Sequence, residues 1–490
     1  MKPISRRSVL TMGGLGLVST AVGGTGLWRE LNPSVLDPAA GELFSEPEVL
    51  RSEGGRLLVR LEASLGTHEV AGRAVQTMGY NGGVPGPTLR VRPGDTVRLD
   101  LVNRLEEVTN LHVHGLHVSP EGNGDNIFLA VEPGRTLRYE HRLPDHHPPG
   151  VYWYHPHHHG NVADQIFGGL YGAIIIEDPA DEIDVERERV MVISDITLDP
   201  GGSLVTPSTM EQMMGREGEL LLLNGQSAPH LAGRSGERER WRIVNACTSR
   251  YLALDLSGQR PRVLGRDVGR LAKDVALEDV VLAPGNRLDL VVDMREGSSE
   301  LVAHPVDRGG MMGGMMGGGG PSVGEGGPVT LARVEVGSGE ARDEGGIPAT
   351  PSLRDLRGAE VDQRRSITFQ MGMGGMMDGG GGPMTFAFDG REFDVDRIDQ
   401  QVRLGTVEEW TIGNDSPMDH PFHLHVWPMQ LLEVDGHEVS EPLWLDVVNV
   451  PARSRVKVRV AFEDFGGKTV YHCHILDHED RGMMATVLAQ

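Results

Sequence analysis

One strand unit occurs three times in this chain, and it limits the fold more than any other feature. Gly94-Asp-Thr-Val-Arg-Leu99-Asp-Leu-Val-Asn103 carries a large apolar residue five positions after its glycine and an asparagine nine after. Gly236, Trp241 and Asn245 repeat those offsets, as do Gly405, Trp410 and Asn414. Polar and apolar residues alternate within each copy, as in a strand with one buried face. A turn signal precedes each copy: Asn81-Gly82, Asn224-Gly225 and Asp389-Gly390. A second unit recurs after Pro133-Gly134, Pro284-Gly285 and, less cleanly, Pro451-Ala452. The 67 glycines and 30 prolines favour short strands joined by turns. The repeat therefore predicts an all-β chain of three sandwich domains, over residues 45–180, 181–340 and 361–490, with 341–360 as a linker.

A formal net charge of -24 argues against a nucleic-acid partner. Residues 1–44 read as a leader, because Arg6-Arg7 precedes a mildly apolar, glycine-interrupted stretch similar to a twin-arginine export signal. The expected location is periplasmic or extracellular, with no transmembrane segment in the mature chain.

The chemistry concentrates at the C-terminus, in His472-Cys473-His474-Ile-Leu-Asp-His478 and Met483. Thiolate, imidazole and thioether form a soft donor set that suits copper better than Mg²⁺ or Ca²⁺. In a strand, residues 472 and 474 face one side and Cys473 the other. Cys473 can then hold one metal while its two neighbours reach others. Further pairs at His112/His114, His155/His157 and His423/His425 share the same i, i+2 spacing and can converge on one cluster. His420 is offset by three from His423, which frees it to join Cys473, His478 and Met483. Two sites result: two histidines, a cysteine and a weak methionine at one, and eight imidazoles at the other. His117, His146, His147 and His158 are expected to be structural, and Cys247 a buried structural thiol.

These stretches resemble the four copper motifs of the multicopper oxidases: His112-Val-His114-Gly115, His155-Pro-His157, His420-Pro-Phe-His423-Leu-His425, and His472 through Met483. The resemblance implies three consecutive cupredoxin-like Greek-key domains and four coppers. It assigns His420, Cys473, His478 and Met483 to a type 1 copper, and His112 and His423 to a type 2 copper. It assigns His114, His155 and His474 to one type 3 copper, and His157, His425 and His472 to the other. Val426 departs from the glycine that many relatives carry there.

The implied reaction couples one-electron oxidation of a reducing substrate to four-electron reduction of O₂ to water. Glu479 and Asp125 are the candidate proton carriers. Methionines at 210, 213 and 214, at 311–316 and within 371–384 favour Cu(I) as substrate, as in copper-efflux oxidases, beside the phenols and aromatic amines of laccases. The expected role is copper detoxification or that of a laccase. The glycine-rich stretches 309–320 and 371–384 are expected to be loops. The alternative is a blue-copper electron carrier or copper-binding protein without oxidase turnover, which needs the cysteine site alone.

Overall fold

A computed structural model describes residues 41–177, 183–273, 275–309, 327–340, 353–373 and 384–490. The twin arginines and the methionines at 311–316 and 376–377 lie outside them. The chain forms three two-sheet sandwiches in sequence. In each, one sheet is built on the repeated strand: Thr96–Asn103, Arg238–Asn245 or Thr406–Asn414. Each of these pairs in parallel with an earlier strand (Arg56–Val70, Arg187–Ile196, Gln363–Met373) and antiparallel with one that follows (Thr136–Arg142, Arg287–Asp293, Arg455–Phe462).

The repeat residues explain this. Leu99, Trp241 and Trp410 are buried at the centres of three apolar cores. Buried Asn103, Asn245 and Asn414 each close the loop after the strand: the side-chain oxygen accepts from residue i+2, and the amide donates to two carbonyls, or three at Asn414. A buried amide left unsatisfied would cost about 1–3 kcal/mol, so asparagine recurs where an apolar residue would break the loop. The turn pairs Asn81-Gly82, Asn224-Gly225 and Asp389-Gly390 all have positive φ at both residues, as a two-residue hairpin turn requires. In the third copy of the proline unit the left-handed position falls on Arg453 (φ 58) rather than on glycine, which is why the signal at Pro451-Ala452 is weak.

Two stretches differ from expectation. Met371 to Met373 and Met384 are not loop: they extend a hairpin, with Met371 opposite Phe386 and Met373 opposite Met384. Glycine content misleads there because the flanking strands continue into the insert from both sides. Leu356, placed in the linker, is buried, and its N–H donates to Gln430 at 2.6 Å, so it packs on the third sandwich. At the other end Phe44 pairs with His230 and packs on the middle core. Among the described residues no helix is long and apolar enough to cross a membrane.

Candidate metal centre

Strand register places the histidines. The strand His112–His114 lies antiparallel to Gly150–His155, with His112 opposite His155. In the third sandwich His420–Leu424 lies antiparallel to Gly467–Cys473, with His423 opposite His472 and Phe422 opposite Cys473. The first and third sandwiches meet along these edges, and eight buried imidazoles converge between them.

Three groups of donor atoms lie within 4.8 Å of one another: His112, His114 and His423; His114, His155 and His474; and His157, His425 and His472. A fourth, His420, Cys473 and His478, sits on the opposite face of the same strands. Cys473 Sγ is 3.4 Å from His420 Nδ1 and 3.8 Å from His478 Nδ1. A short helix, Leu476–Glu479, turns the chain back so that His478 meets the sulfur five residues earlier. Buried Met483 joins this group through its backbone: its carbonyl accepts from Cys473 N–H, and its N–H donates to the His478 carbonyl.

The hydrogen bonds show whether this set fits metal ions. His155, His423 and His472 each donate Nδ1–H to a backbone carbonyl, of Pro156, Asp446 and Cys473. A carbonyl can only accept, so these rings keep Nε2 as a bare lone pair. His472 Nε2 then faces both His157 Nε2 and His425 Nε2 at 3.1 Å, and His423 Nε2 faces His112 Nε2 at 3.4 Å. Lone pairs converging in a buried space need a cation, and outer nitrogens held by acceptors are how metal-binding histidines are oriented. At the cysteine site His420 Nε2 bonds Ser416 Oγ and His478 Nε2 donates to the Met213 carbonyl, which turns both Nδ1 atoms to the sulfur. The residues fit metal ions at both sites, and the nitrogen and sulfur donors suit copper.

Burial sets the electrostatics. It holds all these imidazoles below their ordinary range, to about 4 at His157 and His472 and about 3 at His420, so they are neutral and able to ligate. Burial also pushes Glu479 and Asp125 up to about 7. Glu479 lies 3.1 Å from His472 Nδ1 and 3.4 Å from His157 Nδ1. Asp125 accepts from His112 Nδ1 at 2.9 Å and from Val113 N–H at 3.0 Å.

Several contributors are not among the predicted ligands or proton carriers. Asp446 Oδ1 lies 3.1 Å from His114 Nε2 and pairs with Arg287 of the middle sandwich. Asp480 accepts from the N–H groups of Gly160, Val162 and Ala163, so the third sandwich caps the helix Val162–Phe167 of the first, which has no side-chain cap of its own. A charge inside an otherwise buried strand, as at Arg287, was the available signal. His147 is structural, bonded to His117 N–H and the Pro148 carbonyl. His159 packs on Phe393 and belongs to none of these four donor groups. Cys247 is a free thiol in the middle core.

Residues 62–181 and 360–490 match family models described as multicopper oxidase. The chain is similar to a multicopper oxidase of Staphylococcus aureus, at 28% identity over 93% of this chain and 91% of the relative. It is 27% identical to a laccase of Bacillus subtilis, over 83% of this chain and 88% of the relative. A solved multicopper oxidase of Campylobacter jejuni, described as a metallo-oxidase, superposes with a TM-score of 0.79 at 30% identity, covering 92% of this chain and 95% of that one.

Proposed function

Since the chain belongs to the multicopper oxidase family, we propose that it holds four coppers and couples oxidation of Cu(I), phenols or aromatic amines to reduction of O₂ to water. One observation carries this reading. Cys473 faces His420 and His478, while its covalent neighbours His472 and His474 enter two different imidazole groups of the second site. Copper bound there supplies one-electron oxidation at the cysteine site and O₂ reduction at the imidazole site.

The chain's own residues do the rest. His420, Cys473, His478 and Met483 hold the first copper. His112 and His423 hold the second. His114, His155 and His474 hold the third, and His157, His425 and His472 the fourth. The peptide links either side of Cys473 give the shortest covalent path between the sites. Glu479, buried between two ligand imidazoles at 3.1 and 3.4 Å, is the first proton carrier. Asp125 orients His112 and is the second proton carrier.

Cu(I) as substrate is supported by the helix Thr209–Met214, which buries none of its residues yet touches His478 through the Met213 carbonyl. Met210 on this helix is 52% exposed, so a soft thioether stands in solvent near the cysteine site. The leader supports export to the periplasm or beyond. Copper reconstitution tests the core of the proposal. A blue band, a near-ultraviolet shoulder, about four coppers per chain and O₂ uptake with a phenol are expected. Fewer coppers with every ligand intact would refute it, and a blue band without O₂ uptake would point to an electron carrier. Replacing residues 374–383 with a two-residue Asn-Gly turn, which can close the hairpin between the paired Met373 and Met384, should lower Cu(I) oxidation more than phenol oxidation. Equal losses would remove the methionines from substrate binding.

A further inference from the structure

Outside the copper sites, two imidazoles and a carboxylate converge where the first and third sandwiches meet. His117 Nε2 is 3.2 Å from Asp464 Oδ2, and His146 Nε2 is 3.1 Å from the same oxygen. His117 and His146 come from the first sandwich and Asp464 from the third. Nothing in the four copper motifs assigns these residues, and the sequence alone suggests structural histidines.

The hydrogen bonds say otherwise for His117. Its Nδ1 lies 2.9 Å from the Val426 carbonyl, an acceptor only, so Nδ1 carries the proton of the neutral ring. Nε2 is then a lone pair aimed at a carboxylate oxygen, which is also an acceptor. Two acceptors at this distance repel unless a second ring proton, as in an imidazolium–carboxylate pair, or a metal ion lies between them. Ligands of one tetrahedral metal ion stand roughly 3.4 Å apart when metal–nitrogen and metal–oxygen bonds are each about 2.0–2.2 Å, slightly wider than the 3.2 and 3.1 Å found here.

The backbone around the cluster is unusual. Val426 and Asp464 both have φ 71, in the left-handed region. A β-branched residue there is an outlier, and such strain costs on the order of 1–3 kcal/mol. The two residues are those whose atoms define the cluster: one fixes the His117 ring, the other presents the shared oxygen. The His117 side chain is only 14% exposed and packs edge-on against Phe465. His146 and Asp464 are 68% and 41% exposed, so the cluster is open to solvent on one side. It also borders a cavity of about 110 Å³ lined in part by Trp444 and Leu356.

We propose that His117, His146 and Asp464 bind one divalent transition-metal ion of the Zn(II) or Cu(II) class. The ion bridges the first and third sandwiches beside, and separate from, the four coppers. Imidazole and carboxylate together suit these ions, and no thiolate or thioether is present to favour Cu(I).

The test uses copper-loaded holoprotein whose copper content has first been counted, so that an incomplete copper complement is recognised separately. Titration with zinc chloride should show one further equivalent bound per chain and a rise in the thermal midpoint. His146→Ala and Asp464→Asn should each weaken that binding at least tenfold and abolish the rise in midpoint. His146 is exposed enough for its replacement to leave the fold intact. Absence of zinc binding above the copper complement would overturn the proposal. So would equal zinc affinity in wild type and both variants.

Discussion

Arg287 of the middle sandwich and Asp446 of the third are joined end-on by both guanidinium nitrogens, and neither side chain is more than 3% exposed. Asp446 continues the chain of contacts to His114 through its side chain and to His423 through its carbonyl. Arg287 Nε also donates to the Val151 carbonyl of the first sandwich, at 3.0 Å. The middle sandwich supplies none of the twelve proposed ligand positions, yet its arginine ties together the two sandwiches that do.

Replacing Arg287 with Met should therefore damage both stability and metal loading. The variant leaves a buried carboxylate unpaired, which costs about 3–5 kcal/mol. Loss of an outer partner of a ligating histidine lowers metal affinity about 10–100-fold. Thermal unfolding and copper counts after dialysis measure the two effects. A lowered midpoint with full copper would show that Asp446 orients His114 without help from the arginine.

Glu479→Gln keeps the volume of the side chain and removes its proton chemistry. Glu479 contacts His157 and His472 and accepts no hydrogen bond otherwise. O₂ consumption should fall by about 10²-fold or more, with copper content and the blue band unchanged. Turnover equal to wild type would exclude Glu479 as the proton carrier.

Removing copper should make stability depend steeply on pH. Burial holds ten imidazoles of the two sites below their ordinary range, whereas in the unfolded chain they titrate near about 6.5. As pH falls through that value the unfolded chain binds protons that the folded chain does not, so stability falls. Glu479 and Asp125 act in the opposite sense. Burial holds them at about 7, so they destabilise the fold increasingly as pH rises from about 4 to 7. The imidazoles outnumber them and prevail. Each costs on the order of 1 kcal/mol per pH unit below its unfolded value, against a total stability of about 5–15 kcal/mol. Denaturant midpoints of copper-free protein should drop sharply between pH 7 and 5. A flat profile would contradict this account.

The contrast between motif and partner shows what could be read in advance. Strand spacing predicts that His420 and His423 face opposite ways, because the geometry is local: offsets of two share a face and offsets of three do not. The three-sandwich fold is legible for the same reason, since Asn103, Asn245 and Asn414 repeat one local loop closure. Asp446 and Arg287 stand 159 residues apart, and no local period joins them. Asp480 caps a helix that begins more than three hundred residues earlier. Met371 to Met373 fail differently, because glycine-rich composition outweighed a strand that continues by pairing with Met384 to Phe386.

Gly134 and Gly285 occupy the same place in two copies of the repeat, and comparing them isolates one contact. Both have positive φ, 73 and 86, and both donate N–H to the carbonyl of the repeat asparagine. An alanine at either position pays about 1–2 kcal/mol of backbone strain. At Gly134 the added Cβ meets nothing within 4 Å, whereas at Gly285 it would lie 2.8 Å from His474 Nε2. The Gly285 backbone has little room to yield, because its carbonyl also accepts from Arg287 at 3.0 Å. Gly134→Ala should lower the thermal midpoint with copper intact. Gly285→Ala should lower it as well, and should also lose copper and the near-ultraviolet shoulder as His474 is displaced. Equal copper in the two variants would show that His474 can shift without releasing the metal.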